Sequence, residues 1–141
     1  MRPLRVLIVG GGKLGRESAR RLVAAGHQVT VVEKDPATAQ AAVSALSDHV
    51  TRGDGCDPRV LERAGIAQAN VVAALTGDDE DNLVVAELAR RVFGVEHVLA
   101  RVNNPDNEWL FTRQRGVDLA FNPAGLVSSL LEQEVARDAT G

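Results

Sequence analysis

The sequence predicts an α/β chain: a doubly wound, six-stranded, mostly parallel sheet with helices on both faces. Three observations carry that expectation. Short β-branched runs alternate strictly with longer helical segments along the 141 residues, the pattern of crossover connections rather than hairpins. The runs Val6–Val9, Val29–Glu33 and Val71–Leu75 are dominated by apolar residues, as strands buried on both faces are. A glycine-rich turn, Gly10-Gly11-Gly12-Lys13-Leu14-Gly15, joins the first run to the first helical segment.

Each element has its own justification. Val6–Val9 is the first strand. Leu14–Ala25 reads as a helix, with Gly26 as its C′ residue. Val29–Glu33 is the second strand. Asp35-Pro36 sets an N-cap before a proline at the first helical position and opens the helix Ala37–Leu46. A short third strand falls near His49–Arg52. Asp57-Pro58 repeats the cap-and-proline signal for a short helix to Ala64, stopped by Gly65. Val71–Leu75 is the fourth strand, Asn82–Phe93 a helix, Val98–Val102 the fifth strand, Asp106–Arg115 a helix and Asp118–Phe121 a brief sixth strand. The last helix runs from Pro123 to about Ala136. Residues 1–137 are therefore expected to form one domain, with 138–141 as a tail. In the last helix Leu126, Leu130 and Leu131 recur at helical spacing, with Val127 and Val135 nearby. That stripe has two readings: a face packed on the sheet, or a surface for a partner subunit or further lobe.

Composition narrows the function classes. Sixteen Lys and Arg against nineteen Asp and Glu give a net charge of −3, which argues against a dedicated nucleic-acid binder. The single cysteine, Cys56, excludes an internal disulfide, and no zinc-ligand spacing exists around it. A reducing, intracellular setting is the simplest reading. No apolar run approaches the length of a bilayer span, and Val6–Val9 is too short for a secretory core.

The glycine turn fits G-x-G-x-x-G with Gly10, Gly12 and Gly15 at the fingerprint positions. Gly10 permits a tight turn, Gly12 lets a pyrophosphate approach the backbone, and Gly15 lets the helix pack close to the sheet. Strand before and helix after supply the context of a Rossmann dinucleotide site, with phosphates at the helix N-terminus. Glu33 ends the second strand 18 residues after Gly15. A carboxylate there accepts hydrogen bonds from ribose hydroxyls and repels a 2′-phosphate, favouring NAD or an adenosine nucleotide over NADP. The adjacent Lys34 weakens that exclusion. Asp54, Gly55 and Cys56 follow the third strand on the adenine side, where Asp54 or the backbone at Gly55 is placed for the adenine edge. Asp57 reads as a cap, and Cys56 as a packing residue or a reactive thiol. Thr76, Gly77 and Asp78 follow the fourth strand across the switch point, with Asp78 and Asp79 also readable as helix caps. Arg101 ends the fifth strand on the same edge, within reach of a phosphate or a neighbouring carboxylate. His27, His49 and His97 fall at strand starts, on the opposite edge, which makes them poor acid–base candidates. No Walker A sequence occurs. A nucleotide site without catalytic equipment points to sensing.

Together these residues resemble the N-terminal lobe of regulator-of-potassium-conductance domains, the RCK or KTN (TrkA-N) domains of Trk/Ktr-type potassium uptake systems. The resemblance runs from Val6–Gly15 through Gly26–Val29, Val32–Asp35, Gly53–Pro58 and Leu61–Ile66. It is strongest at Ala74–Asn82 and Ala100–Pro105. It implies a non-catalytic, cytoplasmic regulatory domain, peripheral to the inner membrane through its partner. Such lobes bind NAD(H), with ATP/ADP or AMP as alternatives, form dimers that assemble into rings, and gate a membrane-embedded potassium transporter or channel. By position, Gly10, Gly12, Lys13 and Gly15 match its phosphate loop, Glu33 the ribose acid, and Asp54, Gly55 and Cys56 the adenine loop; Gly11, Leu14 and Lys34, adjacent to these positions, are counted with the cofactor site. Thr76, Gly77, Asp78 and Arg101 match the rest of the pocket. No metal ligands are implied. Two features depart from the family. Its full-length members usually carry a C-terminal lobe beyond the span seen here. After Asn122-Pro123 they often carry a glutamate that faces a nucleotide or cation across a dimer, where Ala124 stands in this chain, so that contact is not expected. Two other readings remain: the NAD-binding fragment of an oxidoreductase lacking its catalytic domain, and the cytoplasmic domain of a potassium efflux protein.

Overall fold

The computed structural model describes residues 2–140. β1 (Arg5–Val9) is followed by α1 (Lys13–Ala24), β2 (Gln28–Glu33), α2 (Pro36–Leu46), β3 (Val50–Arg52), α3 (Pro58–Arg63), β4 (Val71–Ala74), α4 (Asp79–Glu87), β5 (His97–Arg101), β6 (Leu119–Phe121) and α5 (Pro123–Thr140). The sheet order is β3-β2-β1-β4-β5-β6 and every adjacent pair is parallel. The expected doubly wound fold is therefore present, fully rather than mostly parallel. The order reverses at β1, which pairs with β2 on one side and β4 on the other, leaving the crevice of a doubly wound sheet at its carboxyl edge.

Two apolar layers sandwich the sheet. On one face Val6, Ile8, Val29 and Val31 pack with Ala19 of α1 and Leu46 of α2. On the other Leu7, Val9, Val32, Val72 and Val98 pack with Leu61 of α3 and Val85, Ala86 and Ala89. The alternation of faces along each strand follows from the two-residue period of the pleat. Both cap-and-proline signals hold: Asp35 accepts the Thr38 N–H at 2.9 Å and Asp57 the Arg59 N–H at 2.9 Å.

Two expectations are corrected, and one left open is decided. The helix expected over Asp106–Arg115 is two 3₁₀ turns, Pro105–Leu110 and Arg113–Arg115. The break falls at Phe111, which leaves helical geometry (ψ 75°) and buries its ring in the core; that burial outweighs local helix propensity. Next, α4 starts at Asp79, three residues before the expected Asn82, and its last turn, Leu88–Val92, is π-helical, with Phe93 N–H donating to Leu88 O at 3.1 Å. Of the two readings of the α5 stripe, the face packed on the sheet is the one the structure removes. Leu126, Val127, Leu130, Leu131 and Val135 are between 53% and 69% exposed. α5 itself continues through Thr140, past the expected end near Ala136, while Gly141 lies outside the described residues.

Candidate functional site

The carboxyl ends of β1, β2, β4 and β5 surround a crevice of about 370 Å³. Its floor is the β1–α1 turn. Gly10 adopts φ +116°, and a Cβ there would lie 2.9 Å from the Leu75 carbonyl carbon. Gly12 faces open space: among the described residues nothing lies within 4 Å of where its Cβ would be. It is the N-cap of α1, and no side chain caps that helix, so its first-turn N–H groups remain available to an anion. Lys13 and Leu14 complete this wall. Gly15 does not line the crevice. It lies under the turn, where a Cβ would come 1.9 Å from the Gly10 carbonyl oxygen.

Glu33 stands at the β2 end of the crevice. Its Oε1 accepts the Gly11 N–H at 2.7 Å and its Oε2 the Asp35 N–H at 2.9 Å. Gly11 is thus a buried brace behind the site rather than part of its lining. The two backbone donors fix the carboxylate in place while leaving further lone pairs on each oxygen. Lys34 reaches across to α4, its Nζ 3.1 Å from Asp81 Oδ2. That hydrogen bond, with the Asp81 and Asp54 charges, raises the Lys34 pKa above its ordinary value.

Asp54, Gly55 and Cys56 form the third wall. Asp54 Oδ1 accepts the Cys56 N–H at 2.9 Å, and Gly55 packs on Val9, where a Cβ would be 2.4 Å from Val9 Cγ1. The Cys56 thiol is pushed up to about 12, first by burial and then by the Asp81 and Asp54 charges. A thiol so protonated is a poor nucleophile at neutral pH, which favours the packing reading.

Thr76, Gly77 and Asp78 form the fourth wall, with Arg101 beside them. Two buried residues hold this wall: Asn82, read from the sequence only as the first residue of a helix, and Asp79, read as a helix cap. Asn82, 0% exposed, accepts the Thr76 N–H at 3.0 Å and the Thr76 hydroxyl at 2.7 Å. It donates to Thr76 O and Arg101 O, each at 3.0 Å. All four of its hydrogen-bonding positions are filled. Asp79, 9% exposed, accepts Asn103 N–H at 2.6 Å, Asn103 Nδ2 at 3.1 Å, and Asn104 N–H and Asn107 Nδ2 at 2.9 Å each. Burial alone would raise its pKa; the hydrogen bonds outweigh it and hold the carboxyl below the ordinary value. Asp78 rather than Asp79 is the α4 cap, accepting the Asp81 N–H at 2.9 Å. From Asn103 the network continues outward: Asn122 Nδ2 donates to Asn103 O at 3.4 Å and to Val102 O at 2.7 Å, and its Oδ1 accepts the Gly125 N–H of α5 at 2.8 Å.

Arg101 carries the clearest sign of a missing partner. Its Nε–H is buried and makes no hydrogen bond among the described residues. Buried donors are rarely left so, and Arg101 lines the crevice, so a rotation of its side chain would bring the donor to an anion bound there. The uncapped α1 N-terminus, the open space at Gly12 and this orphaned donor fit the phosphate groups of a dinucleotide or an adenosine nucleotide. The histidines lie at the other edge, His27 and His49 just before β2 and β3 and His97 opening β5. Among the described residues no group of His, Cys, Asp and Glu is placed to hold a metal ion, and no helix is long and apolar enough to cross a membrane.

Comparison with known families matches residues 6–123 to the TrkA-N domain. The chain belongs to the TrkA-N family. Among TrkA-N relatives, the "Trk system potassium uptake protein TrkA" of Mycobacterium tuberculosis is 40% identical over 132 residues, covering 94% of this chain and 60% of that protein. The TrkA homolog of Methanothermobacter thermautotrophicus is 36% identical over the same shares. The chain thus spans about 60% of the length of these curated relatives. Among solved structures, the TrkA-N domain of the Escherichia coli inner membrane protein ybaL superposes with a TM-score of 0.78 at 16% identity, covering 94% of this chain and 97% of that one. A GsuK channel bound to NAD superposes at 0.75 and 22% identity, over 99% of this chain and 24% of the channel. GsuK bound to ADP superposes at 0.72 and 23%, over 92% and 33%. These likenesses establish the shared fold of the TrkA-N domain.

Proposed function

We propose that this chain is a nucleotide-sensing regulatory domain rather than an enzyme. It binds NAD(H), with ATP/ADP or AMP as alternative ligands. The protein that carries it controls a membrane-embedded potassium transporter or channel from the cytoplasmic side of the inner membrane. The carrying observation is the crevice at the β1 reversal point of a TrkA-N chain, with an open glycine cradle at one wall and the unpartnered Arg101 Nε at another. In this reading Gly10, Gly12 and the α1 N-terminus hold the phosphates, and Lys13 and Arg101 balance their charge. The fixed Glu33 carboxylate accepts from the ribose hydroxyls, and Asp54 with the Gly55–Cys56 backbone lines the adenine end. Thr76, Gly77 and Asp78 cover the second nucleoside or the terminal phosphate. Sensing requires two ligands that stabilise two arrangements unequally, since equal affinity for both shifts nothing. TrkA naming of the relatives supports the potassium-transport setting.

The test is thermal stabilisation of the purified chain by NADH, NAD, NADPH, ATP and ADP at equal concentration. A ligand at a hundred times its Kd adds about 2.7 kcal/mol. Clear shifts with NAD(H) or ATP/ADP and little with NADPH are expected; no shift with any of them overturns the reading.

The exposed α5 stripe supports self-association of this chain. Light scattering over a concentration series is expected to show a mass rising from monomer to dimer. A strict monomer at the highest concentration would remove self-association through this chain alone.

A further inference from the structure

We infer that Asp81 is a second determinant against NADP-type ligands, acting by holding Lys34 away from the position of a ribose 2′-phosphate. The inference rests on the nucleotide reading above and deepens it. A 2′-phosphate is accommodated where the acid at the end of β2 is lost or a nearby cation offsets it. Here the acid is present and braced, because Gly11 N–H and Asp35 N–H each hold one of its oxygens. The next residue, Lys34, is the cation placed to undo the exclusion. Its Nζ is instead engaged at 3.1 Å by Asp81 Oδ2, 47 residues on and one strand beyond β1. Asp54 adds a second negative charge on the same ammonium.

The pair therefore spans the crevice from the β2 end to α4, and both partners line it. Four carboxylates (Glu33, Asp54, Asp78 and Asp81) face three cations (Lys13, Lys34 and Arg101) around the lining. The diphosphate end already claims Lys13 and Arg101. Lys34 is the cation left for the ribose end, and Asp81 neutralises it there. A 2′-phosphate would have to displace Asp81 from Lys34 while facing Glu33, whereas a ribose hydroxyl needs neither. Asp81 is thus a specificity residue acting through Lys34.

The experiment measures the Kd of NADH and of NADPH, by calorimetry, for the wild-type chain, Asp81→Asn and the double variant Asp81→Asn/Lys34→Ala. The wild type is expected to favour NADH. Asp81→Asn is expected to narrow the NADPH-to-NADH Kd ratio by about threefold, the worth of one exposed ion pair, and the double variant to restore the wide ratio. A shallower salt dependence of NADPH binding in the double variant than in Asp81→Asn is expected with it, since one phosphate–cation contact is removed. NADH binding with an unchanged ratio in Asp81→Asn overturns this inference and leaves the nucleotide reading standing. A narrowed ratio that Lys34→Ala fails to reverse also overturns it. Binding of neither dinucleotide by the wild type overturns the nucleotide reading, and this inference with it.

Discussion

Gly15→Ala is expected to lower the unfolding temperature by roughly 10 °C, while Gly12→Ala leaves the fold intact and abolishes nucleotide-induced stabilisation. The two glycines are three residues apart in one motif, but their surroundings are opposite. A Cβ at Gly15 would sit 1.9 Å from Gly10 O and 3.0 Å from Gly10 C. Both are backbone atoms, so no rotamer change relieves the clash, and α1 must lift from the turn. Overpacking of this kind costs about 3 kcal/mol, a large share of the roughly 5–15 kcal/mol that holds a domain folded. At this chain length each kcal/mol moves the midpoint by about 3–4 °C. Gly12 has φ −68° and ψ −172°, extended backbone open to any residue, and no atom of the described residues lies within 4 Å of its Cβ position. Alanine there fits the fold and projects into the space assigned to the phosphates. Thermal unfolding of both variants with and without NADH checks the pair. Equal midpoints for Gly15→Ala and wild type would refute the packing argument, and an undiminished ligand shift in Gly12→Ala would refute the phosphate assignment.

Asp79→Ala is expected to cost about 3 kcal/mol at neutral pH, because it removes the buried acceptor of four hydrogen bonds from Asn103, Asn104 and Asn107 and strands their donors. The pH dependence carries a definite sign. The folded-state pKa of Asp79 lies below its ordinary value, so the unfolded chain takes up the proton first. The contribution is fully present above the ordinary aspartate pKa of about 4 and is lost as pH falls through the depressed folded value. Urea unfolding at pH 7 and at stepwise lower pH should therefore show the gap between wild type and Asp79→Ala shrinking only in the acid range. A gap that stays constant into that range would mean that Asp79 is not held as the carboxylate the geometry describes.

Much of this architecture was legible in the sequence. Asp35-Pro36 and Asp57-Pro58 act locally, within one turn, so their caps formed where expected. The glycine fingerprint and Glu33 likewise mark one β-α-β unit, and the crevice lies beside it. What was not legible depends on partners distant along the chain. Asp78, Asp79, Glu80 and Asp81 form a run of four acids in which nothing local distinguishes the exposed cap from the buried hub. Their different roles are set by Asn103, Asn104 and Asn107 in one case and Lys34 in another. Asn82 reads as one more helical residue until Arg101 O arrives opposite it. The Asp106–Arg115 segment has helical propensity, but Phe111 gains more by entering the core. The α5 stripe has the same spacing whether it meets a sheet or solvent, so spacing alone left both readings open.

The central place of β1 also governs how the chain reaches this structure. Its first neighbour, β2, follows closely, but its second is β4, and the Arg5 N–H bonds to Asn70 Oδ1 across 65 residues. Until Val71–Ala74 is made and docked, the β3-β2-β1 half-sheet presents an apolar strand with an open hydrogen-bonding edge, the kind of surface that recruits other chains. Closing so long a loop also carries its entropy before any contact repays it. Folding is therefore expected to wait on β4. A chain stalled on the ribosome before that strand emerges would be at its most aggregation-prone with the glycine turn already synthesised and its second wall still missing.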